Sequence, residues 1–241
     1  MVCPHFPERL IRSVLRGDVT DWNGSPSAEA IAEFLEAARY HGVLPLLNAE
    51  FRRHTDIVAW PAEILLACGK AALAQAMFEL AHRAEIVRVL ETLMSAGIKP
   101  LLLKGTALAY SHYPSAALRP RADTDLLIPP DTRKETDLTL RQLGYAKGAG
   151  VEGKFISYQA TWSRSDNLGA THHLDIHWRI NNSQILAKTL SYDELAARGA
   201  PLSALGRNAC ALAPVHALLF ACIQRAGHAN APYHVDGIAH L

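Results

Sequence analysis

The sequence predicts an α+β protein in which a strand-containing core lies between two helical regions. Apolar residues recur at three-and-four spacing in the first hundred residues, as in SAEAIAEFLEAARYHGV, which favours amphipathic helices. Residues 172–180 instead alternate with period two, which favours a strand. Between these regions, short apolar runs are bounded by glycine and proline. We therefore expect a helical region at 1–97, a core at 98–183 and a helical region at 184–241.

Several residues in the N-terminal region are typical of helix ends. Ser25 or Ser27 can cap the helix that follows, because a serine side chain accepts a hydrogen bond from a first-turn amide. Residues 61–96 are rich in Ala, Leu and Glu and predict a long helix with a break near Gly69. Pro100 is incompatible with continuing that helix, so the helical region should end just before it.

The core is expected to contain four strands and two helices. The predicted strands are 100–103, 123–128, 154–162 and 172–180. A helix through 107–112 should follow the first strand, and two prolines stop the second strand at Pro129. Asp131 can cap the next helix, which Gly144 is well placed to end.

Two aspartates one residue apart carry the clearest chemical signal. Asp123 and Asp125 should project from one face of their strand, about 7 Å apart at roughly 3.3 Å per residue. Magnesium prefers oxygen ligands, so such a pair suits a phosphoryl-transfer centre. Asp175 lies on the face of its strand opposite the apolar residues and could supply a third carboxylate. Sequence spacing alone does not establish that it reaches the other two.

Other classes of protein also contain a DxD pattern. In haloacid-type phosphatases and metal-dependent glycosyltransferases the acidic pair typically follows an apolar strand, whereas here it precedes Leu126, Leu127 and Ile128. An EF-hand needs further oxygen donors and a glycine, which DTDLLIPPD does not provide. A solvated strand end or turn remains compatible with the two aspartates taken alone.

Basic and small residues just upstream of the aspartates are candidate nucleotide ligands. Lys104, Gly105 and Thr106 end the first strand and open a helix, whose first amides could bind phosphate oxygens. The spacing is not that of a Walker loop, and Gly105 could instead only permit a tight turn. Arg119 and Arg121 could neutralise triphosphate oxygens or could line a solvated strand entry.

Three histidines in the last strand allow a second interpretation. His172, His173 and His177 could ligate zinc, although no HExxH-type helix accompanies them. The alternative is that His173 and His177 border the acidic site or form local hydrogen bonds. Trp178 belongs to the apolar face and is expected in the core.

Composition limits the remaining possibilities. The chain has 24 basic and 23 acidic residues, a net charge of +1, which neither indicates nor excludes a nucleic-acid partner. Four cysteines without a close pair are expected to be reduced thiols.

Apolar runs such as 98–103 and 209–222 are too short or interrupted to span a bilayer, and the N terminus lacks a secretory pattern. We therefore expect a cytoplasmic protein without a membrane segment, whose domain continues past HVDGIAHL or was trimmed there.

Four segments together resemble a known family: LLLKGTALAYSHYP, LRPRADTDLLIP, LRQLGY and HHLDIHWRI. They are similar to the uncharacterised nucleotidyltransferase family of bacterial proteins within the DNA polymerase beta-like superfamily. The resemblance covers residues 98 to about 180 directly. It implies a mixed sheet with packed helices, and transfer of a nucleotidyl group from a nucleoside triphosphate such as ATP to an acceptor, with release of pyrophosphate.

The resemblance also assigns residues. Gly105 and Thr106 match the phosphate-holding turn, where superfamily members often have Gly-Ser or Gly-Gly. Asp123 and Asp125 match the metal-binding pair, and Asp175 matches the third acid. The implied cofactor is Mg²⁺, as two ions, with Mn²⁺ as a substitute. Asp175 would bridge the second ion or act as a general base.

Some features of the function stay open at this stage. Lys104 matches the lysine of the family's own KG turn, which assigns it no role. The acceptor could be a small molecule, a peptide or a protein. Two other functions are compatible with the sequence: a nucleotide-binding module without catalysis, and a phosphotransferase or toxin-like modifier of tRNA or protein.

Overall fold

The computed structural model describes residues 6–18, 22, 27–53, 60–149, 157–167 and 169–229. These residues form the α+β fold that the sequence predicts. The helices are α1 (Phe6–Leu15), α2 (Ala28–Tyr40), α3 (Leu44–Arg53), α4 (Ala62–Ser95), α5 (Lys104–Ser111), α6 (Arg133–Gln142), α7 (Tyr192–Ala197) and α8 (Pro214–Ala229). The strands are β1 (Leu101–Leu102), β2 (Asp123–Leu127), β3 (Ala146–Lys147), β4 (Gln159–Ser165), β5 (Thr171–His177), β6 (Ala200–Pro201) and β7 (Cys210–Ala211).

The described chain divides into two compact units. Residues up to Glu79, together with Tyr113–Pro120, belong to the first unit. Leu80–His112 and the residues from Arg121 onward belong to the second unit. Helix α4 therefore contributes its first half to one unit and its second half to the other.

The first unit is helical, as the apolar spacing predicts. Ser27 caps α2, since its hydroxyl accepts a hydrogen bond from the Ala30 amide at 3.2 Å. Ser25, the other candidate cap, lies outside the described residues. The core of this unit contains an edge-to-face pair of Trp22 and Trp60, whose ring centroids are 5.7 Å apart. Aromatic pairs in this geometry stabilise a core beyond the area that they bury.

Helix α4 runs through Gly69 without interruption, so the predicted break is wrong. A glycine inside a helix costs only about 1 kcal/mol, which packing can offset. Ile64 and Cys68, on the same turns, are fully buried in the core of the first unit. This tertiary contact explains why the helix continues where the local sequence favours a break.

One of the described helices, α4, is long and apolar enough to cross a membrane by length and composition alone, although the sequence predicted no such segment. A buried core helix meets the same criterion, whereas the apolar window of α4 is 17% buried. In the second half of α4, Ile86, Leu90 and Leu93 are buried in the core beneath the sheet.

The second unit is built on a mixed seven-stranded sheet with the order β3-β4-β5-β2-β1-β7-β6. Strand β2 pairs in parallel with β5, and β1 pairs in parallel with β7, whereas the other neighbours are antiparallel. The mixed sheet is the one that the family resemblance implies. Strands β6 and β7 lie in the segment 184–241, where the sequence predicted only helix; each has two residues, too few to produce a period-two signal.

Two apolar clusters cover opposite faces of this sheet. Leu102, Leu126 and Leu174 face one cluster, to which α4 and α6 contribute. Leu103 and Leu127 face the other cluster, to which α7 and α8 contribute. Because side chains alternate along a strand, the aspartates of β2 lie on the face of Leu127, and Thr124 lies on the face of Leu126.

Several elements begin or end a few residues away from their predicted boundaries. Strand β4 spans 159–165 instead of 154–162, of which 154–156 are outside the described residues. Asp131 does not cap α6, because a 3-10 turn at Pro130–Thr132 precedes the helix and supplies no side-chain cap. Gly144 ends α6 as predicted, with a φ of 85° in the left-handed region.

Cys68, Cys210 and Cys222 are free thiols, and Cys3 is not described.

Replacing Gly69 with alanine should stabilise the protein. The added methyl group would meet Asn48 Oδ1 at 3.7 Å, an ordinary contact, and helix-interior glycine is about 0.5–1 kcal/mol less favourable than alanine. Gly144→Ala should lower stability by about 1–2 kcal/mol, since an L side chain disfavours that φ. Thermal unfolding followed by circular dichroism at 222 nm should therefore give Tm shifts of opposite sign, and a lower Tm for Gly69→Ala would contradict this account of α4.

Candidate active site

The pairing of β2 with β5 places the predicted acids on one face of the sheet. In this parallel register, Asp125 is the partner of Asp175, and Asp123 is the partner of His173. Partners in a ladder project to the same side, so carboxylates from two distant segments of the chain meet there. The sequence left this contact open.

One possible metal-ligand atom from each of Asp125, Asp175 and His177 lies within 4.8 Å of the other two. Asp123 shares their electrostatic environment: burial and then the neighbouring charges of Asp125 and Asp175 raise its pKa. Neighbouring like charges in a partly buried site disfavour each other's ionised form. The three aspartates therefore form one acidic centre.

Asp125 is the most enclosed of the acids, with 3% of its surface exposed. Its Oδ1 accepts hydrogen bonds from Lys104 Nζ at 2.5 Å and from His177 Nε2 at 2.8 Å. Burial alone would raise the pKa of Asp125, but the His177 hydrogen bond and the Lys104 ammonium together bring it below its ordinary value. Asp125 is therefore held as a carboxylate while Asp123 resists ionisation.

Asp175 is half-buried and is oriented from the neighbouring strand. Thr161 on β4 is its antiparallel partner and donates a hydrogen bond from Oγ1 to Asp175 Oδ1 at 2.8 Å. This bond uses one carboxylate oxygen and fixes the side chain toward Asp125. Nothing in the local sequence around Thr161 indicated this role.

The turn from β1 into α5 is tight, and the strained residue in it is Lys104. Lys104 has a φ of 45°, the only positive value at a non-glycine position in the described residues. Gly105 has no such φ, and a Cβ there would meet Arg121 atoms at 3.8 Å, an ordinary distance. The alternative interpretation, in which Gly105 only permits a tight turn, thus has no left-handed φ at Gly105 to support it. The left-handed backbone at Lys104 accompanies its contact with Asp125.

The start of α5 has no side-chain cap, because the N-cap position is occupied by Leu103. Amides in the first turn of such a helix are suited to bind phosphate oxygens. Thr106 is buried, and its hydroxyl accepts a hydrogen bond from Arg121 Nε at 3.0 Å. The hydroxyl of Thr106 is thus used within the protein.

The two predicted arginines lie in different units. Arg121 belongs to the second unit, where its guanidinium also lies over the Tyr110 ring, 5.4 Å from the centroid. Arg119 belongs to the first unit, where its guanidinium lies over the Tyr113 ring at 5.7 Å. Of the pair, Arg121 is the one that contacts the α5 turn.

Comparison with known protein families identifies one that matches most of the chain. Residues 27–234 match the model of the uncharacterised nucleotidyltransferase family. The chain belongs to this family. The match includes α2 to α4 and all of α8, so these helices are part of the family domain. No curated protein matches the chain.

In this member of the family the three histidines of β5 do not act as one group. His177 bonds to Asp125, as one of the two sequence interpretations expected, and His173 lies beside Asp123 in the ladder. His172 points to the opposite face, where its Nδ1 is 3.2 Å from His82 Nδ1. Among the described residues, the group close enough to share a metal ion contains only one histidine.

The donor set of the acidic centre fits a divalent cation. Asp125 and Asp175 offer the carboxylate oxygens that Mg²⁺ prefers, and Asp123 lies next to them on β2. His177 adds an imidazole, which Mn²⁺ accepts more readily than Mg²⁺ does. A cation here would also relieve the repulsion that raises the pKa of Asp123.

The two β2 aspartates should affect the stability of the metal-free protein in opposite directions. Asp123 has a raised pKa, so its charge costs stability as pH rises through that pKa, and Asp123→Asn should unfold at higher urea than wild type at neutral pH. Asp125 has a lowered pKa, so its charge stabilises above the ordinary carboxyl range, and Asp125→Asn should lose about 1.5–3 kcal/mol.

Both differences should shrink as pH falls, because each wild-type carboxyl is then protonated in the folded and unfolded states. Urea unfolding in EDTA, measured at neutral pH and in acid, tests the two signs together. Equal destabilisation by both substitutions at neutral pH would show that Asp123 is not under electrostatic strain.

Proposed function

We propose that this protein transfers a nucleotidyl group from a magnesium-bound nucleoside triphosphate to a hydroxyl or similar nucleophile on an acceptor. The observation that supports this most directly is the facing pair of Asp125 and Asp175 on parallel strands, with Asp123 beside them. The uncapped start of α5 lies next to this pair, since the Leu103 amide bonds to the Asp125 carbonyl at 3.0 Å. Carboxylates and a phosphate-binding helix start are the two components that the reaction needs.

In this proposal the acids hold the cations and the α5 turn holds the triphosphate. Asp123 and Asp125 would ligate the ion on the triphosphate, and Asp175 would join them at a second ion. When bound, Mg²⁺ would neutralise phosphate charge and lower the pKa of the attacking group. Thr161 keeps Asp175 in place through its hydrogen bond.

Positive charge from the chain would complete the phosphate site. Lys104 stands at the first position of α5 with its ammonium on Asp125. Once a cation neutralises Asp125, the ammonium would be released toward the triphosphate. Arg121, fixed on Thr106, adds a second cation at the same turn.

The proposed reaction is an in-line substitution at the α-phosphorus. The acceptor oxygen forms a bond to the α-phosphorus, the bond from that phosphorus to the β-bridging oxygen breaks, and pyrophosphate leaves with that oxygen. The acceptor proton passes to solvent or to Asp175, which is half-buried and within reach of solvent. The acceptor remains to be identified among small molecules, peptides and proteins.

Removing either β2 aspartate should abolish transfer. Asp123→Ala and Asp125→Ala should each lower pyrophosphate release by at least about 100-fold, because charge on the transferring group is then unneutralised. Labelled nucleoside triphosphates, screened against acceptor pools with Mg²⁺ or Mn²⁺, provide the assay, and mass spectrometry identifies added nucleotide or phosphate. Asp137→Ala is the matched control, since that residue pairs with Lys147 at the surface.

The same experiment separates the competing functions. Added phosphate in place of added nucleotide would identify a phosphotransferase. Magnesium-dependent triphosphate binding without pyrophosphate release across all acceptors would favour a binding module. Full activity in both aspartate variants would reject the assigned site.

Lys104 should compete with metal for Asp125 when no nucleotide is present. Lys104→Met removes the ammonium but keeps the side-chain length, so Mn²⁺ should bind about tenfold more tightly, whereas the triphosphate should bind more weakly. Calorimetry with Mn²⁺ alone and then with nucleotide measures both effects. Lys147→Met, which removes a surface ion pair, should change neither. Unchanged or weaker Mn²⁺ binding by Lys104→Met would show that the ion pair does not oppose metal binding.

A further inference from the structure

A line of hydrogen bonds crosses the buried face of the sheet, directly behind the acidic centre. It begins at Arg121 Nε, which bonds to Thr106 Oγ1, and Thr106 Oγ1 lies 3.2 Å from Thr124 Oγ1. Thr124 Oγ1 then lies 3.1 Å from His82 Nε2. Thr124 stands between Asp123 and Asp125 in the sequence and faces the opposite side of β2.

The line continues through a pair of histidines to a carboxylate. His82 Nδ1 lies 3.2 Å from His172 Nδ1, and the two rings are nearly parallel, at 8°. His172 Nε2 lies 3.2 Å from Asp166 Oδ2 in the turn between β4 and β5. Both histidines are 1% exposed. A cation at one end and an anion at the other thus enclose four neutral or titratable groups, all in the second unit.

The two charged ends fix the direction of the first and last bonds, because Arg121 can only donate and an ionised Asp166 can only accept. His172 therefore donates from Nε2. A neutral His172 then accepts at Nδ1, which requires His82 to donate from Nδ1 and accept at Nε2. In this order the Thr124 hydroxyl donates to His82 and accepts from Thr106, whose oxygen accepts from Arg121. The Asp123 carbonyl oxygen, 3.4 Å from Thr106 Oγ1, is a more distant acceptor for the same Thr106 proton.

The opposite direction would need a charged histidine. If His82 donated from Nε2 to Thr124, His172 would have to donate from Nδ1 as well as to Asp166, and it would carry a positive charge inside the core. Such a charge would be paired with Asp166, but the first direction needs no buried positive charge on either histidine, so we adopt it. Burial, followed by the charge of Arg121, lowers the pKa of His82 to about 3, so His82 itself is neutral at physiological pH.

We propose that His82 is a positioning residue of the nucleotide site: it orients the Thr124 and Thr106 hydroxyls so that a lone pair of Thr106 faces Arg121 and holds the guanidinium at the α5 turn. The inference rests on the proposed function, in which Arg121 binds the triphosphate. It adds α4 to the elements that shape the site, although His82 lies on the far side of the sheet from the acids. Because dipoles aligned between a cation and an anion strengthen one another, the loss of one member should be felt at Arg121.

The bond directions can be tested without any substrate. Long-range ¹H–¹⁵N spectra distinguish the two neutral histidine tautomers. At pH 7.5 His82 should be protonated on Nδ1 and His172 on Nε2. Protonation of His82 on Nε2 would overturn the proposed order and with it the orientation of Thr106.

The effect on the site can be tested by triphosphate affinity. The probes are the α,β-methylene analogues of ATP, GTP, CTP and UTP with Mg²⁺, and calorimetry selects the one that wild type binds most tightly. His82→Leu should weaken its binding about tenfold, the loss expected when one hydrogen bond to a charged group is misplaced. His82→Gln should recover most of the affinity, since its carboxamide oxygen can accept from Thr124 in place of Nε2.

A matched variant separates positioning from lost stability. His216 is also buried in the second unit, on α8, and its Nδ1 has no hydrogen-bond partner among the residues that the structure describes. His216→Leu should leave triphosphate affinity unchanged even if it lowers Tm as much as His82→Leu does. Equal loss of affinity in both variants, or none in His82→Leu while Arg121→Ala loses it, would refute the role of His82. Failure of wild type to bind any analogue would instead reject the proposed function, while the tautomer measurement would still stand.

Discussion

The parallel register between β2 and β5 is the constraint on which the site depends. Asp125 and Asp175 are 50 residues apart in the sequence and face each other because the ladder pairs them directly. A slip of one residue would turn Asp175 into the apolar core and bring Leu174 or Ile176 to the acidic face. The apolar alternation of β5 on the other face makes such a slip costly, so hydrophobic packing sets the geometry of the acids.

The acidic centre is electrostatically unfavourable when considered alone, and the chain contains specific groups that offset this cost. His177 and Lys104 both bond to the same oxygen of Asp125 and favour its ionised form. The pKa of Asp123 is instead raised. Lys104 also adopts a left-handed backbone that a residue with a side chain disfavours. Strain of this kind is found mainly where function requires it. A protein that used these residues only for folding would gain stability by losing the repulsion and the strain.

The sequence predicted the parts of this site that depend on local pattern. The period-two alternation placed Asp175 on the polar face, and the DTD segment placed two acids on one strand. It did not predict the residues whose role depends on tertiary contact. Thr161 comes from a third strand. His82 comes from α4, a helix rich in Ala, Leu and Glu whose local sequence does not indicate this contact. The same limit applies to the fold, since β6 and β7 exist only because the sheet offers them a partner, and Gly69 stays helical because its neighbours are buried.

Strand β2 therefore contributes polar side chains to both faces of the sheet. Asp123 and Asp125 present carboxylates to the candidate active site, and Thr124 presents a hydroxyl to the opposite face, on which Leu126 joins an apolar cluster. A valine would fill that position without a polar group to satisfy, so a buried threonine bonded to His82 is costly unless its hydrogen bonds have a use. Those bonds end at Arg121, beside the start of α5. The polar line behind the sheet and the acids in front of it are thus connected through one five-residue strand, and a change on either face should be transmitted to the other.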